Sequence, residues 1–171
     1  MRKSIIALFT AFLALITTQM TTAPEASAAS WSVLKNDTSG KCATPQGNGT
    51  SNGTIITLWD CTGSTLQQWE VRATRGGNQI INRASGKCLT PSGNGYSTDG
   101  AVLTLWTCDT SATNYPQLFS FNQARTWTLY SGPDYRCLTN KGQTHANGTY
   151  LTLWRCASDY PSEQNWVFYS A

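Results

Sequence analysis

The sequence predicts an all-β protein made of three pseudo-symmetric copies of one unit, each of about four short strands. Three observations lead there. First, the pattern C-x-T, then T-L-W-x-C, then Q-x-[W/F] occurs three times. It opens at Cys42-Ala43-Thr44, Cys88-Leu89-Thr90 and Cys137-Leu138-Thr139. It continues through Thr57-Leu58-Trp59-Asp60-Cys61, Thr104-Leu105-Trp106-Thr107-Cys108 and Thr152-Leu153-Trp154-Arg155-Cys156. It closes with Gln67-Gln68-Trp69, Gln117-Leu118-Phe119 and Gln164-Asn165-Trp166. Second, Trp59, Trp106 and Trp154 recur at a spacing of about 47 residues, the mark of a supersecondary unit stacked on copies of itself. Third, no sustained helical periodicity follows the leader, and Gly, Asn and Pro interrupt every apolar run.

The chain begins with an export signal. Arg2 and Lys3 give a basic start, Ile5 to Ile16 is mostly apolar, and Ala26-Ser27-Ala28 offers a small-residue cleavage site. The apolar run is shorter than the roughly 20 residues needed to cross a bilayer. Residues 1–29 are therefore expected to be a signal peptide cut near Ala28 or Ala29, and no membrane span is expected. Residues 30–171 are expected to form one secreted, extracellular domain with repeats at about 31–75, 76–124 and 125–171. The formal net charge is +3, and losing Arg2, Lys3 and Glu25 with the leader removes one positive charge of it. Charged residues make up only 12% of the chain and include no Lys/Arg run able to track a phosphate backbone, so nucleic acid is not an expected partner.

Within each copy the elements follow in the same order. Strand-like segments rich in β-formers, Trp31–Lys35, Gln79–Asn82 and Trp127–Tyr130, precede the first cysteine. Leu34, Ile80 and Leu129 share one position there, as a common core residue would. After the cysteine come turn-rich stretches such as Thr44-Pro45-Gln46-Gly47-Asn48-Gly49 and Thr90-Pro91-Ser92-Gly93-Asn94-Gly95. Asn52-Gly53, Asp99-Gly100 and Asn147-Gly148 then adopt positive φ at little cost and are expected to close hairpins. In the third strand, the period of two puts Ile56/Leu58, Leu103/Leu105 and Leu151/Leu153 on one face. Thr57/Trp59, Thr104/Trp106 and Thr152/Trp154 share the other. In the last strand, Trp69/Val71, Phe119/Phe121 and Trp166/Phe168 each share a face.

The six cysteines fall two per copy. Sequence does not choose their connectivity, but equivalent copies favour equivalent bonds, and the simplest symmetric set is Cys42–Cys61, Cys88–Cys108 and Cys137–Cys156. Each would close a loop of about 20 residues and stabilise by roughly 3 kcal/mol in the chain-entropy model. No metal site is expected: there is no C-x-x-C pair, His145 is the single histidine, and an exported chain is oxidised. The hydroxyl and indole that share the third strand's outer face allow two readings. An indole can cover the apolar C–H face of a sugar while polar neighbours bond its hydroxyls, or it can shield the disulfide beneath it.

Ser39-Gly40-Lys41-Cys42, Ser85-Gly86-Lys87-Cys88, the L-W-x-C segments and the Q-x-[W/F] closures resemble the ricin B-type lectin repeat. That repeat also forms Q-x-W carbohydrate-binding modules, and the resemblance covers residues 31 to 170. It implies a β-trefoil of twelve strands with up to three shallow sugar sites. The sugar-binding positions it implies are Thr44, Thr57, Trp59 and Gln67 in the first copy and Thr90, Thr104, Trp106 and Gln117 in the second. In the third they are Thr139, Asn140, Thr152, Trp154 and Gln164. The chain departs from the family pattern at several of these. Thr44, Thr90 and Thr139 stand where a sugar-binding Asp is usual; Thr57, Thr104 and Thr152 replace a polar residue that is often Gln. Leu66, Pro116 and Glu163 replace an Asn. A carboxylate makes hydrogen bonds roughly twice as strong as a neutral acceptor, so specificity is expected to be altered. The motif glutamines are also expected to bond backbone near the strand junction. Asn140, His145 and Glu163 make the third copy the richest in polar groups.

No catalytic residues and no cofactor are expected. The carboxylates are scattered through turns, and neither a G-x-S-x-G elbow nor an H-E-x-x-H motif is present. The expected function is a stand-alone, monomeric lectin-like protein whose partner is a polysaccharide or glycoconjugate. The alternative is a trefoil that binds no sugar and acts as a protein-interaction, inhibitor or scaffold module, for which the loop around Asp109 to Pro116 is the candidate surface.

Overall fold

A computed structural model of the chain describes residues 30–111, 115–121, 127–129, 136–159 and 162–171. The expected leader, Tyr130 and part of the loop after Asp109 lie outside the described residues. The first copy comprises β1 (Ser32–Asn36), β2 (Cys42–Pro45), β3 (Ile56–Trp59) and β4 (Gln68–Thr74). The second comprises β5 (Gly77–Asn82), β6 (Cys88–Pro91), β7 (Ala101–Trp106) and β8 (Phe119–Phe121). The third comprises β9 (Trp127–Leu129), β10 (Arg136–Asn140), β11 (Leu151–Arg155) and β12 (Trp166–Ser170). Short 3-10 turns join them, and the described residues include no α-helix. Twelve strands in three copies make the fold all-β and trefoil in plan, as the repeat pattern predicts.

The strands divide into two sets. In each copy the second and third strands form an antiparallel hairpin, with the first cysteine opposite the tryptophan: Cys42 faces Trp59, Cys88 faces Trp106 and Cys137 faces Trp154. The first and fourth strands form a belt that carries the chain from copy to copy, through β12–β1, β1–β4, β4–β5, β5–β8 and β8–β9. Ile56/Leu58, Leu103/Leu105 and Leu151/Leu153 are fully buried and pack with Leu34, Ile80 and the closing aromatics Trp69, Phe119 and Trp166. Burial on this scale, about 1.5–3 kcal/mol for each large side chain, holds the three copies on one core. The closing strands outrun that core: Trp69 and Phe119 are buried, whereas Val71 and Phe121, on the same face by the period of two, are exposed. Phe168 remains packed on the core's edge.

The disulfides are Cys42–Cys61, Cys88–Cys108 and Cys137–Cys156, one within each copy, with Cα–Cα distances of 5.2, 5.0 and 5.0 Å. The Asn/Asp-Gly turns do something the sequence did not predict. Gly53, Gly100 and Gly148 have φ of 85°, 85° and 84°, but their amides do not close the hairpins in which they lie. Gly53 N donates to Leu105 O at 2.8 Å, Gly100 N to Leu153 O at 2.7 Å and Gly148 N to Leu58 O at 2.8 Å. Each turn therefore bonds the third strand of a neighbouring copy, in a ring. The physical reason is loop length: the connection between β2 and β3 is too long for a two-residue hairpin, so the turn hangs outward and meets the neighbour's unpaired strand edge.

Replacing Gly53 or Gly100 by Ala should cost about 1–2 kcal/mol from the left-handed backbone. Gly100→Ala should cost more, because a Cβ there would come within 3.3 Å of the Trp154 ring, whereas nothing lies within 4 Å at Gly53. Urea midpoints of the two variants, compared with the parent, check this order.

Candidate functional site

Each copy carries one buried glutamine that ties the chain around the second cysteine to the second strand. Gln67 Oε1 accepts from Thr62 N at 2.7 Å, while its Nε2 donates to Asp60 O at 2.8 Å and Thr44 Oγ1 at 2.9 Å. Gln117 repeats this with Asp109 N (2.7 Å), Thr107 O (3.0 Å) and Thr90 Oγ1 (3.1 Å). Gln164 does so with Ala157 N (3.0 Å), Arg155 O (3.0 Å) and Thr139 Oγ1 (3.1 Å). The glutamine amide thus satisfies the peptide groups on either side of Cys61, Cys108 and Cys156, at or just past the end of each third strand. These residues hold the site in shape, as the sequence analysis expects of them.

The threonines form the floor. Thr44, Thr90 and Thr139 donate their hydroxyl protons to Cys42 O, Cys88 O and Cys137 O at 3.0, 3.0 and 2.8 Å. Thr57, Thr104 and Thr152 donate to Thr44 O, Thr90 O and Thr139 O at 3.1, 3.0 and 3.1 Å. A hydroxyl has one proton, so each of the six has used its donor inside the fold and keeps only acceptor capacity. In sequence Thr44, Thr90 and Thr139 stand where a carboxylate is usual and Thr57, Thr104 and Thr152 where a Gln is; in the structure all six form an acceptor-only floor.

Above the floor stand the tryptophans. Trp59, Trp106 and Trp154 are 46%, 50% and 49% exposed, in contrast to the fully buried Trp69 and Trp166. Each lines a cleft shared with its threonines, with volumes of about 290, 640 and 450 Å³ in chain order. Thr44, Thr57 and Gly148 join Trp59 in the first cleft; Thr90, Thr104, Gln117 and Gly53 join Trp106 in the second. Thr139, Thr152 and Gln164 join Trp154 in the third, together with Asn140 and Glu163. His145 does not line the third cleft, although Asn140 and Glu163 do. An indole held half-open above a hydroxyl floor offers an apolar plate and hydrogen-bond acceptors side by side. Among the described residues, no group of three His, Cys, Asp or Glu is placed to hold a metal.

The rims contain bonds between copies that the sequence analysis missed. Lys41 pairs with Asp60 and donates to Asn147 Oδ1 at 2.8 Å, and Asn147 Nδ2 donates to Asp60 Oδ2 at 2.7 Å. Arg136 Nε lies 2.7 Å from Asp99 Oδ1, which also accepts from Arg155 N at 2.9 Å. Thr107 N donates to Asn52 Oδ1 at 3.0 Å. The available signal was positional: Lys41, Lys87 and Arg136 all stand immediately before a repeat's first cysteine, and the one copy with Asp99 in place of Asn is met by an arginine.

Changing Gln117 to Leu should leave Asp109 N and Thr107 O without their partner and destabilise by about 1–3 kcal/mol for each orphaned group. Denaturant unfolding of that variant gives the value directly. The Lys41 and then the Asn147 hydrogen bonds hold the Asp60 carboxyl below its ordinary value of 3.8. A folded-state value lowered in this way favours the latch above the unfolded range, and the contribution fades as pH falls through the folded value. A carbon-detected NMR titration should find Asp60 ionising below 3.8, and Lys41→Ala should bring it back toward that value.

Comparison with known proteins agrees with this architecture. The ricin-type beta-trefoil lectin domain matches residues 76–171, and its domain-like relative matches residues 19–106. No curated protein sequence matches significantly. Among solved structures, the designed threefold-symmetric protein ThreeFoil superposes with a TM-score of 0.70 at 19% identity, over 82% of this chain and 99% of its own. The Macrolepiota procera ricin B-like lectin, solved in complex with lactose, gives 0.67 at 17% identity, over 86% and 99%. An exo-beta-1,3-galactanase from Clostridium thermocellum gives 0.72 at 23% identity, over 85% of this chain and 31% of its own. With family matches reaching from one end of the repeat region to the other, and three disulfide-closed copies on one core, the chain belongs to the ricin-type beta-trefoil lectin domain family.

Proposed function

We propose that this protein is an exported carbohydrate-binding protein that attaches to a polysaccharide or glycoconjugate through up to three shallow clefts and catalyses no reaction on it. In this reading residues 1–29 are removed on export and residues 30–171 act as one binding domain. Three internal disulfides and the membership of a lectin family are compatible with extracellular work.

The observation that carries the reading is the exposure of Trp59, Trp106 and Trp154 at equivalent places, each beside a cleft floored by threonine. Leaving a large aromatic half in water forgoes apolar burial that the fold achieves for Trp69 and Trp166. The disulfide-shield role does not call for that exposure, since a shielding indole gains by lying flat and covered. The threonine hydroxyls, their protons already given to backbone carbonyls, would accept hydrogen bonds from a sugar. Without a carboxylate at Thr44, Thr90 or Thr139, each cleft binds weakly, and attachment to a repeating polymer would draw on avidity between clefts.

Retention on insoluble xylan, cellulose, chitin and galactose-agarose tests the proposal. The protein should be held by at least one matrix, and the folded Trp59→Ala/Trp106→Ala/Trp154→Ala variant should pass through. Passage of the unaltered protein through all four, or retention unchanged in the triple variant, would overturn it.

A further inference from the structure

Each exposed tryptophan is held from a different copy. The turn before a third strand reaches the next copy, where its glycine amide bonds the carbonyl of the residue before the tryptophan: Gly53 to Leu105, Gly100 to Leu153 and Gly148 to Leu58. The side chain before that glycine reaches the residue just after the tryptophan. Asn52 Oδ1 accepts from Thr107 N at 3.0 Å, Asp99 Oδ1 from Arg155 N at 2.9 Å, and Asn147 Nδ2 donates to Asp60 Oδ2 at 2.7 Å. The turn thus grips the strand on both sides of the indole. The three grips differ in charge. At Trp154 the gripping side chain is the Asp99 carboxylate, and the buried Arg136 pairs with it at 2.7 Å. At Trp59 it is the neutral Asn147, tied to the Lys41–Asp60 pair. At Trp106 it is Asn52, and no acid stands at any of the three positions Asn52, Lys87 and Thr107. Contact with the ring follows the same order. A Cβ added at Gly100 would lie 3.3 Å from the Trp154 ring and one at Gly148 3.9 Å from that of Trp59, whereas one at Gly53 would meet nothing within 4 Å. Hydrogen bonds to ionised groups are roughly twice as strong as neutral ones, and buried charges are screened less than exposed ones.

We propose that the turn of the preceding copy is the positioning element of each exposed tryptophan, and that the charge of its grip grades them. Trp154 is held most firmly, Trp59 next and Trp106 least. Asp99, from the second copy, and Arg136 are therefore positioning residues for Trp154 of the third. None of the copies completes a cleft by itself, because the wall behind its indole belongs to its neighbour. An indole already held in place loses less freedom when a ligand covers it, so affinity follows the order of the grips. That last consequence rests on the carbohydrate reading above; the grading of the indoles does not.

Nitrogen-15 relaxation of the seven indole N–H groups in the full chain, assigned with single Trp→Phe variants, reads each tryptophan separately. Order parameters should fall from Trp154 to Trp59 to Trp106. The junctions can then be exchanged with residues the fold already carries at equivalent places. Asp99→Asn/Arg136→Lys gives Trp154 the neutral grip of Trp106, and should loosen Trp154 while leaving the other indoles as they were. Asn52→Asp/Lys87→Arg should tighten Trp106 in the same selective way. Titration with soluble xylan, cellohexaose, chitohexaose and lactose, followed on the same signals, should move Trp154 at the lowest concentration. The first exchange should weaken that response about two- to tenfold. Equal order parameters at the three indoles, or exchanges that move neither Trp154 nor Trp106, would overturn the proposal even where sugars bind. A loss of order spread over all seven indoles would overturn it as well, since it would mark Asp99 and Arg136 as supports of the whole fold. Should none of the four sugars move any of the three signals, the carbohydrate reading falls, and the order parameters of the free protein decide this one by themselves.

Discussion

The buried glutamine amide is the interaction on which each copy depends. A disulfide joins the second strand to a cysteine just past the third, but it makes no hydrogen bond to the peptide groups that flank that cysteine. Gln67, Gln117 and Gln164 take both flanking groups and return one bond to the threonine of the second strand. That couples covalent closure, hairpin register and cleft floor in a single side chain. Remove it and two half-buried peptide groups lose their partner next to the disulfide, a more serious loss than one missing contact. The strand that carries the half-open tryptophan is held from below by this arrangement, and the Trp154 ring lies beside Gly100 of the neighbouring copy's turn.

Much of the fold was legible because a threefold repeat states the same rule three times. The alternation in Ile56-Thr57-Leu58-Trp59 and its copies correctly separated core from cleft, and the cysteine pairing followed from symmetry. The period of two stopped being informative where the strands outran the core, so Val71 and Phe121 emerged in solvent. The role of the Asn/Asp-Gly turns was hidden for a different reason. Positive φ identifies a turn but not the partner of its outward-facing amide, and that partner lies in another copy, far along the chain. The threonine side chains were visible as cleft residues, but their donor state was not, because it depends on carbonyls two residues back and across the hairpin.

Symmetry also separates fold from function more sharply than any single site could. Features present in all three copies include some, such as the glutamine amide, that answer the needs of the fold. Glu163 and Asn140 are polar groups buried in the third copy where the other two carry apolar residues. The Arg136–Asp99 pair is the instructive contrast: it too belongs to one junction, but both partners are inside the protein.

The ring of contacts between copies has a last implication, for connectivity. Ser32 lies opposite Ser170 in the β1–β12 pairing, and Ala171 N donates to Trp31 O at 3.2 Å, so the first and last described strands are neighbours. The junction between the third copy and the first is then the same kind of junction as the tight turn between β4 and β5. The described strands thus form a ring in which β12 and β1 lie side by side. A chain reopened at Gly76, with Ala171 linked back to Ser30, would contain every contact described here in a different order of synthesis.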